Sequence, residues 1–230
     1  MARRTLILLM CLASLALTAQ TVVLDVKTDT TKDNSYGQNK KNFVHTFFSY
    51  GLFASGWNPG AEIIPWASYD MSSGLRYKHK WTEVLSSGAE IGWHGQSFAL
   101  KQQAGKVLPN TAINQSEDLF YNALEINIYQ RFNWGKRGDI IGNFIDLAVG
   151  ADLFAGLRHH TVNTLNNGVV REVTDRKLSY GRKYFLHAIL RAGFNRWVAY
   201  VRYRFTPIIE PASLYPALPA LSIGVQIGFH

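Results

Sequence analysis

Ionisable residues recur along this chain at even spacings inside otherwise apolar stretches: Arg76 and Lys78, Glu125 and Arg131, Asp146 and Asp152, His187 and Arg191, Arg202 and Arg204, with Glu90 near the middle of its own stretch. Even spacing puts each set on one face of an extended strand, because side chains alternate from side to side. Charges gathered on one enclosed face can neutralise one another, since an isolated buried ion is costly, or they can pass protons or ions along a path. An acyl hydrolase or transferase would instead need a basic histidine within hydrogen-bond reach of a serine. His187 has Phe185 and Ile189 at its same-face positions, His159 and His160 stand beside Thr161, and His79 stands near Trp81. None of these offers a serine, and the His159-His160 pair has no carboxylate or third ligand beside it to hold a metal. The reading is therefore an ionic plug, with no catalytic residue, metal or cofactor. If Asn195-Arg196 is a two-residue turn, the reading sets Arg191 opposite Arg202 and gives Asp146 the task of reaching both guanidiniums.

The elements that must carry these faces are strands. Eight stretches with a period of two run approximately over 43–54, 69–81, 84–99, 119–134, 140–157, 182–195, 197–206 and 220–229. Most match or exceed the length that a tilted membrane strand needs. Short joints at Thr82-Glu83, Gly135 to Asp139 and Asn195-Arg196 alternate with long ones, the third of which spans Arg158 to Gly181. An up-and-down membrane barrel has this rhythm of tight periplasmic turns and long outer loops, and an even strand count returns both ends to one side. Opposite the charges lie apolar faces: Phe120, Leu124, Ile126, Ile128 and Phe132; Ile145, Leu147, Val149, Ala151, Leu153 and Leu157; Leu186, Ala188, Leu190 and Phe194; Val201, Tyr203 and Phe205. Trp81, Trp134 and Trp197 share those apolar faces and flank the three short joints, where an interfacial aromatic girdle belongs. Gly88, Gly92, Gly150, Gly193, Gly224 and Gly228 fall on the charged face, which suits a narrow interior filled by bulky groups. The expected fold is all-β, an eight-stranded antiparallel up-and-down transmembrane β-barrel over 43–230.

Bulk properties agree. Hydrophobic residues make up 47% of the 230 and charged residues 17%, and no run outside the leader reaches the length of a spanning helix. Aromatic residues reach 13%, which suits interfacial girdles. Residues 1–19 read as a secretory signal, with Arg3 and Arg4, an apolar stretch and Ala19 before Gln20. Losing Arg3 and Arg4 takes the net charge from +8 to about +6, too diffuse to imply nucleic acid. Cysteine occurs once, at Cys11, so the exported chain has no disulfide to rely on. Segment 20–42 is polar and reads as a flexible periplasmic tail.

The last stretch, Ser222 to Phe229, has the polar, glycine, apolar and aromatic spacing of an outer-membrane insertion signal, with Gly224, Ile227 and Phe229 at its key positions and His230 following. With Gly74-Leu75-Arg76-Tyr77-Lys78, Arg137-Gly138-Asp139 and Tyr203-Arg204-Phe205, it resembles the small outer-membrane β-barrel proteins common in Bacteroidota, a set that includes PorT-like and porin-family barrels. That resemblance implies residence in the Gram-negative outer membrane, contact with its lipid and lipopolysaccharide, and insertion by the barrel-assembly machinery. It also implies two alternatives to a plain non-enzymatic barrel: a lipid A modifying acyl hydrolase or transferase, and an accessory barrel of a secretion or uptake complex. The third long joint, with Arg158, Arg171, Arg176, Lys177, Arg182 and Lys183 against Glu172 and Asp175, is basic enough to meet anionic head groups.

Overall fold

The computed structural model describes residues 35–54, 58–135, 137–176, 178–210 and 215–230. The predicted leader and most of the predicted tail lie outside that set. Nine strands follow in chain order: β1 Asn42–Phe53, β2 Tyr69–Lys80, β3 Leu85–Ala99, β4 Ser116–Trp134, β5 Asn143–Thr164, β6 Val170–Arg176, β7 Phe185–Phe194, β8 Trp197–Arg204 and β9 Leu221–Phe229. All neighbours are antiparallel, in the order β4-β3-β2-β1-β9-β8-β7-β5, and β4 pairs with β5 to close the ring at eight strands. Closure pairs each ring strand on both sides, apart from a gap beside β5 where the sixth position is shared between two strands.

The ninth strand belongs to the sixth position of the ring. β7 pairs with the lower part of β5 from Asn143 to Asp152, and β6 pairs with its upper part from Arg158 to Thr164. The sixth barrel strand is thus broken, and the predicted loop from Arg158 to Gly181 is corrected to an extension of β5, a β-hairpin and a short link. The signal was in the sequence: Asn166-Asn167-Gly168 is a turn between Thr-Val and Val-Val pairs, and Gly168 adopts φ 77°.

A second correction concerns β5 itself. Its register against β4 shifts between Asn122 and Leu124, and Phe154, at φ 55°, is the extra residue. A bulge of this kind reverses the side to which later residues point. Leu157, assigned by periodicity to the outside with Leu153, is buried inside instead.

Elsewhere the alternation holds, except at the upper end of β3, where His94 to Ala99 are buried without a break. Leu147, Val149 and Val225 are each 55% exposed on the exterior, whereas the intervening Asp146 is 0% exposed. The interior is stacked in three zones. At the short-turn end Phe43, Ile141, Phe144 and Val198 pack together. At the other end an apolar stopper unites strand residues such as Phe53, Phe98, Leu119 and Phe185 with Ala61, Ile63, Leu108, Ile208, Ile209 and Leu218 from the long loops. Polar side chains occupy the space between. The long loops therefore fold partly inward over the ring, which the outward-loop reading did not foresee; Ile63-Ile64-Pro65 and Ile208-Ile209 were its visible signs.

Candidate functional site

The enclosed polar column is where the charged residues converge. Asp70, Glu90, Glu125, Asp146 and Asp152 share it with Arg76, Lys78, Arg131, Arg191, Arg202 and Arg204, and all are buried. They are held there by strand parity, each lying an even number of residues from its inward neighbours on the same strand.

Nearest the short turns, Arg131 donates to both oxygens of Asp146, from Nε at 2.7 Å and from Nη2 at 2.8 Å. The two residues are direct cross-strand partners on β4 and β5. The Arg131 guanidinium also lies 3.6 Å from the Phe144 ring centre. One layer up, Glu90 accepts from Arg76 Nε at 2.6 Å, from Arg191 at 2.9 and 2.8 Å, and from Asn127 at 2.9 Å. This corrects the expected arginine conflict. The Asn195-Arg196 turn is a two-residue one, but it sets Arg191 opposite Tyr200 and Arg202 opposite Ile189. Asp146 bonds Arg131, and Arg191 reaches across the lumen to Glu90.

Above this, Arg202 approaches Glu125 to 2.8 Å and also donates to His94 Nε2. His94 Nδ1 lies 2.9 Å from Asp152, and Tyr121 donates to the same carboxylate at 3.2 Å. His187 Nε2 is 2.8 Å from Asn127 Oδ1 and 3.3 Å from Glu125. In the topmost polar layer Asp70 accepts from Ser222 at 2.9 Å and from Gln96, and Gln96 accepts from Arg204 at 2.6 Å. Arg204 turns its remaining donors to the carbonyls of Thr206 at 3.1 Å and Pro219 at 2.8 Å. Lys78, at the opposite end, donates to the Gln38 carbonyl and lies 5.7 Å from the Phe43 ring. Arg204 and Lys78 thus depart from the expected carboxylate pairing. Both sit at an end of the column, where irregular chain offers carbonyls that regular strands keep for one another.

Sequence periodicity places His94 and Gln96 on this face beside Glu90 without giving either a partner, and the reading passes over Asp70. Asp70 lies six residues before Arg76, so parity alone could have found it. Nothing local could have shown that His94 meets Asp152, because their separation of 58 positions is closed only by the ring.

His94, Glu125 and Asp152 each bring a potential ligand atom within 4.8 Å of the others. The Arg202 guanidinium occupies the side of His94 and Glu125 that a cation would share. The donor set suits a divalent ion in type, but the resident positive charge opposes one. The arrangement is chemically a ladder of ion pairs and charge-assisted hydrogen bonds, in which Arg131 Nη1, Arg202 Nε, His187 Nδ1 and one oxygen each of Glu125 and Asp152 are left without a hydrogen-bond partner.

Outside the column, Trp81, Trp134 and Trp197 stand exposed at the short-turn end. Trp81 Nε1 donates to Ser87 at 2.9 Å. In β9, Gly224 lies against the Tyr200 ring, and Ile227 and Phe229 pair with Phe48 and Thr46 of β1 where the ring closes. Several inward glycines receive rings where the reading set ions opposite them. Tyr129 lies over Gly88, Phe144 over Gly193 and Tyr200 over Gly224.

No family model matches this chain. No curated protein matches it either. Among solved structures, it is similar to that of Ail, the attachment invasion locus protein of Yersinia pestis, in complex with the heparin analogue sucrose octasulfate. The likeness covers 80% of this chain and 94% of that chain, at 9% identity and a TM-score of 0.35.

Above the column, at the upper ends of β4 and β5, a separate buried cluster joins strand residues to the long loop before β4. Glu117 accepts from Lys106, from Asn114 at 2.9 Å and, at 2.7 Å, meets His159. Burial favours the neutral form of Glu117, but these partners outweigh it and hold the carboxyl down at about 2. His159, read as a loop histidine next to Thr161, is a β5 residue committed to this carboxylate.

Proposed function

We propose that the chain is an integral outer-membrane β-barrel without enzymatic activity, whose lumen is closed by the polar column and the stopper formed by its in-folded long loops, and whose β5–β6 hairpin is the part offered to the cell exterior. The observation that carries this reading is the exterior. Large apolar or aromatic side chains stand exposed on every barrel strand, among them Leu52, Leu75, Ile91, Ile126, Leu147, Leu190, Tyr203 and Ile223. On β4 the exterior from Trp134 to Leu124 is apolar except at Gln130, which accepts from Ser87 and donates to the Ser86 carbonyl, and at ~3.3 Å per residue and a strand tilt near 40° it is about 25 Å tall, the height of the band such barrels present to lipid. Exposed tryptophans at the short-turn end mark one border of that band. A water-soluble barrel would leave the same belt uncovered.

The histidines singled out for catalysis have other partners. His187 meets Asn127 and Glu125, and His79 meets Asn42 and Tyr77. An acyl hydrolase would need a serine in those places. Contact with a protein partner, as an accessory barrel of the PorT-like kind would require, is favoured by the β5–β6 hairpin, whose tip exposes Leu165, Val169 and Val170. Lipopolysaccharide is the expected surrounding lipid, and the barrel-assembly machinery is the expected route of insertion.

Outer-membrane fractionation followed by a detergent gel tests the membrane reading. The expected result is recovery in the outer membrane, with a band that changes mobility only on boiling. Recovery in the soluble periplasm with no such shift would reject it.

A further inference from the structure

Between Asp152 and Arg158 the β5 backbone has no regular ladder partner on its β6–β7 side. The link after β6 supplies one bond there, from Ala155 N to Lys183 O at 3.0 Å. A cavity of about 550 Å³ opens in this gap, and Arg158, Arg176 and Lys183 line it. Arg158 and Arg176 are direct cross-strand partners, a like-charge pair that destabilises a ladder unless an anion lies between them. Among the described residues no carboxylate pairs with any of the three, although Asp118 and Glu210, not far off, pair with His160 and Arg182.

Directly below the gap the outer wall is hollowed. Ala151 and Ala188 are small exterior residues among larger ones, and they leave two adjoining hollows of about 400 and 790 Å³ that share Ile128 and Val149. Leu186 and Phe205 flank the upper hollow, and Leu147 and Leu190 the lower. From Ala151 to Ala155, at the lower edge of the cleft, is four residues, so the hollows begin about 13 Å along the strand beneath that edge, with Arg158 and Arg176 higher still, at the level of the first β5–β6 pair. A cationic cleft above an apolar furrow has the shape of an amphiphile with an anionic head. Guanidiniums favour phosphate, which they bind through paired N–H donors.

We propose that the break in the sixth barrel strand is a binding site for a phosphorylated, acylated lipid of the surrounding leaflet, its phosphate held by Arg158, Arg176 and Lys183 and one acyl chain lying along Ala151 and Ala188. This rests on the membrane reading above. The furrow is what distinguishes the site from a general attraction of basic loops to a membrane surface, because it asks for a tail as well as a charge.

Native mass spectrometry of the full barrel in detergent tests it, with bisphosphorylated lipid A, its dephosphorylated form and inorganic phosphate as probes. Bisphosphorylated lipid A should be retained, and the double variant R158Q/R176Q should weaken it about ten-fold or more, a loss of ~1.4 kcal/mol or greater. The same double variant should leave the dephosphorylated form unchanged. Ala188→Phe, which fills the furrow, should weaken both lipids. Arg171→Gln, on the same hairpin but outside the cleft, should weaken neither. Equal retention of the two lipids, undiminished binding by the double variant, or binding of inorganic phosphate as tight as that of the lipid would each overturn the site. Every variant is first shown to keep its heat-dependent gel shift, so a barrel that shifts normally but retains no lipid rejects this site while leaving the membrane reading intact.

Discussion

Glu90 accepts hydrogen bonds from Arg76, Arg191 and Asn127, which lie on three different strands, so one carboxylate ties β2, β4 and β7 to β3. Glu90→Gln would leave two buried guanidiniums facing a neutral amide. We expect a loss of ~3–5 kcal/mol, as for breaking buried ion pairs elsewhere, measured by urea unfolding of the barrel in lipid vesicles. The Arg131–Asp146 pair separates the cost of breaking a pair from the worth of having one. Asp146→Asn alone should destabilise by a similar amount, whereas Arg131→Met with Asp146→Leu should cost much less, because no charge is then left without a partner. Equal losses for the single and double replacements would show that the pair itself supplies the stability. Glu117 supports a pH prediction for the loop cluster. With its folded pKa lowered to about 2 from an ordinary 4.5, its contribution is complete above about 4.5 and is lost as pH falls through about 2. Protection of the Lys106 and Asn114 segments, taken as the observed hydrogen-exchange rate against the intrinsic rate at the same pH, should therefore be full at pH 5 and drop near pH 2; unchanged protection at pH 2 would remove Glu117 from the account. At this scale the sequence shows which residues face inward, because parity is local. It does not show who pairs with whom, and the contact that Asp146 makes with Arg131 rather than Arg191 depends on reach and angle within the closed ring.

Among the elements, the inward glycines explain how rings fit inside so narrow a barrel. A Cβ on Gly193 would come within 2.1 Å of Phe144, the ring that also carries the Arg131 guanidinium. Gly193→Ala should thus displace Phe144 and destabilise the barrel by ~1–3 kcal/mol, as overpacked interiors generally do. Gly105→Ala, with nothing near but a φ of 89°, should act through backbone strain alone. Seven strand stretches are legible from period and spacing because each keeps its two faces to the end. β5 is the exception. Its bulge at Phe154 exchanges the two faces, so Leu157 has the parity of an outward-facing residue and the surroundings of a core one. The broken sixth strand escapes a periodicity argument for a related reason: β6 is too short and too polar to announce an apolar face, and it serves β5 above the ring instead of lining the lumen.

For the whole molecule, a column of paired ions under an apolar stopper amounts to a plug at two levels. Reconstituted into planar bilayers, the barrel should pass no steady current, and Leu108→Ala in the stopper should not change that, since the polar column still fills the ring. Ohmic conductance by the unaltered protein would contradict a closed lumen. Strand number, closure and the apolar character of the outward side were all readable from the chain, because the rhythm of short and long joints and the alternation along each strand are properties of sequence order. The inward folding of the long loops was not, since a loop's apolar residues do not say which way they turn. The orientation of the wall carries everything else, and spin labels read it directly. Cysteine occurs only at Cys11, so a chain begun at Gln20 carries none and accepts single labels at Ile126, Leu147, Val149 and Val225, with Val169 at the hairpin tip for comparison. In lipid vesicles the first four labels should collide freely with dissolved oxygen and be shielded from a water-soluble nickel chelate, while Val169 shows the reverse. Chelate access at those four positions matching that at Val169 would put water, not hydrocarbon, against the outer wall and contradict the account.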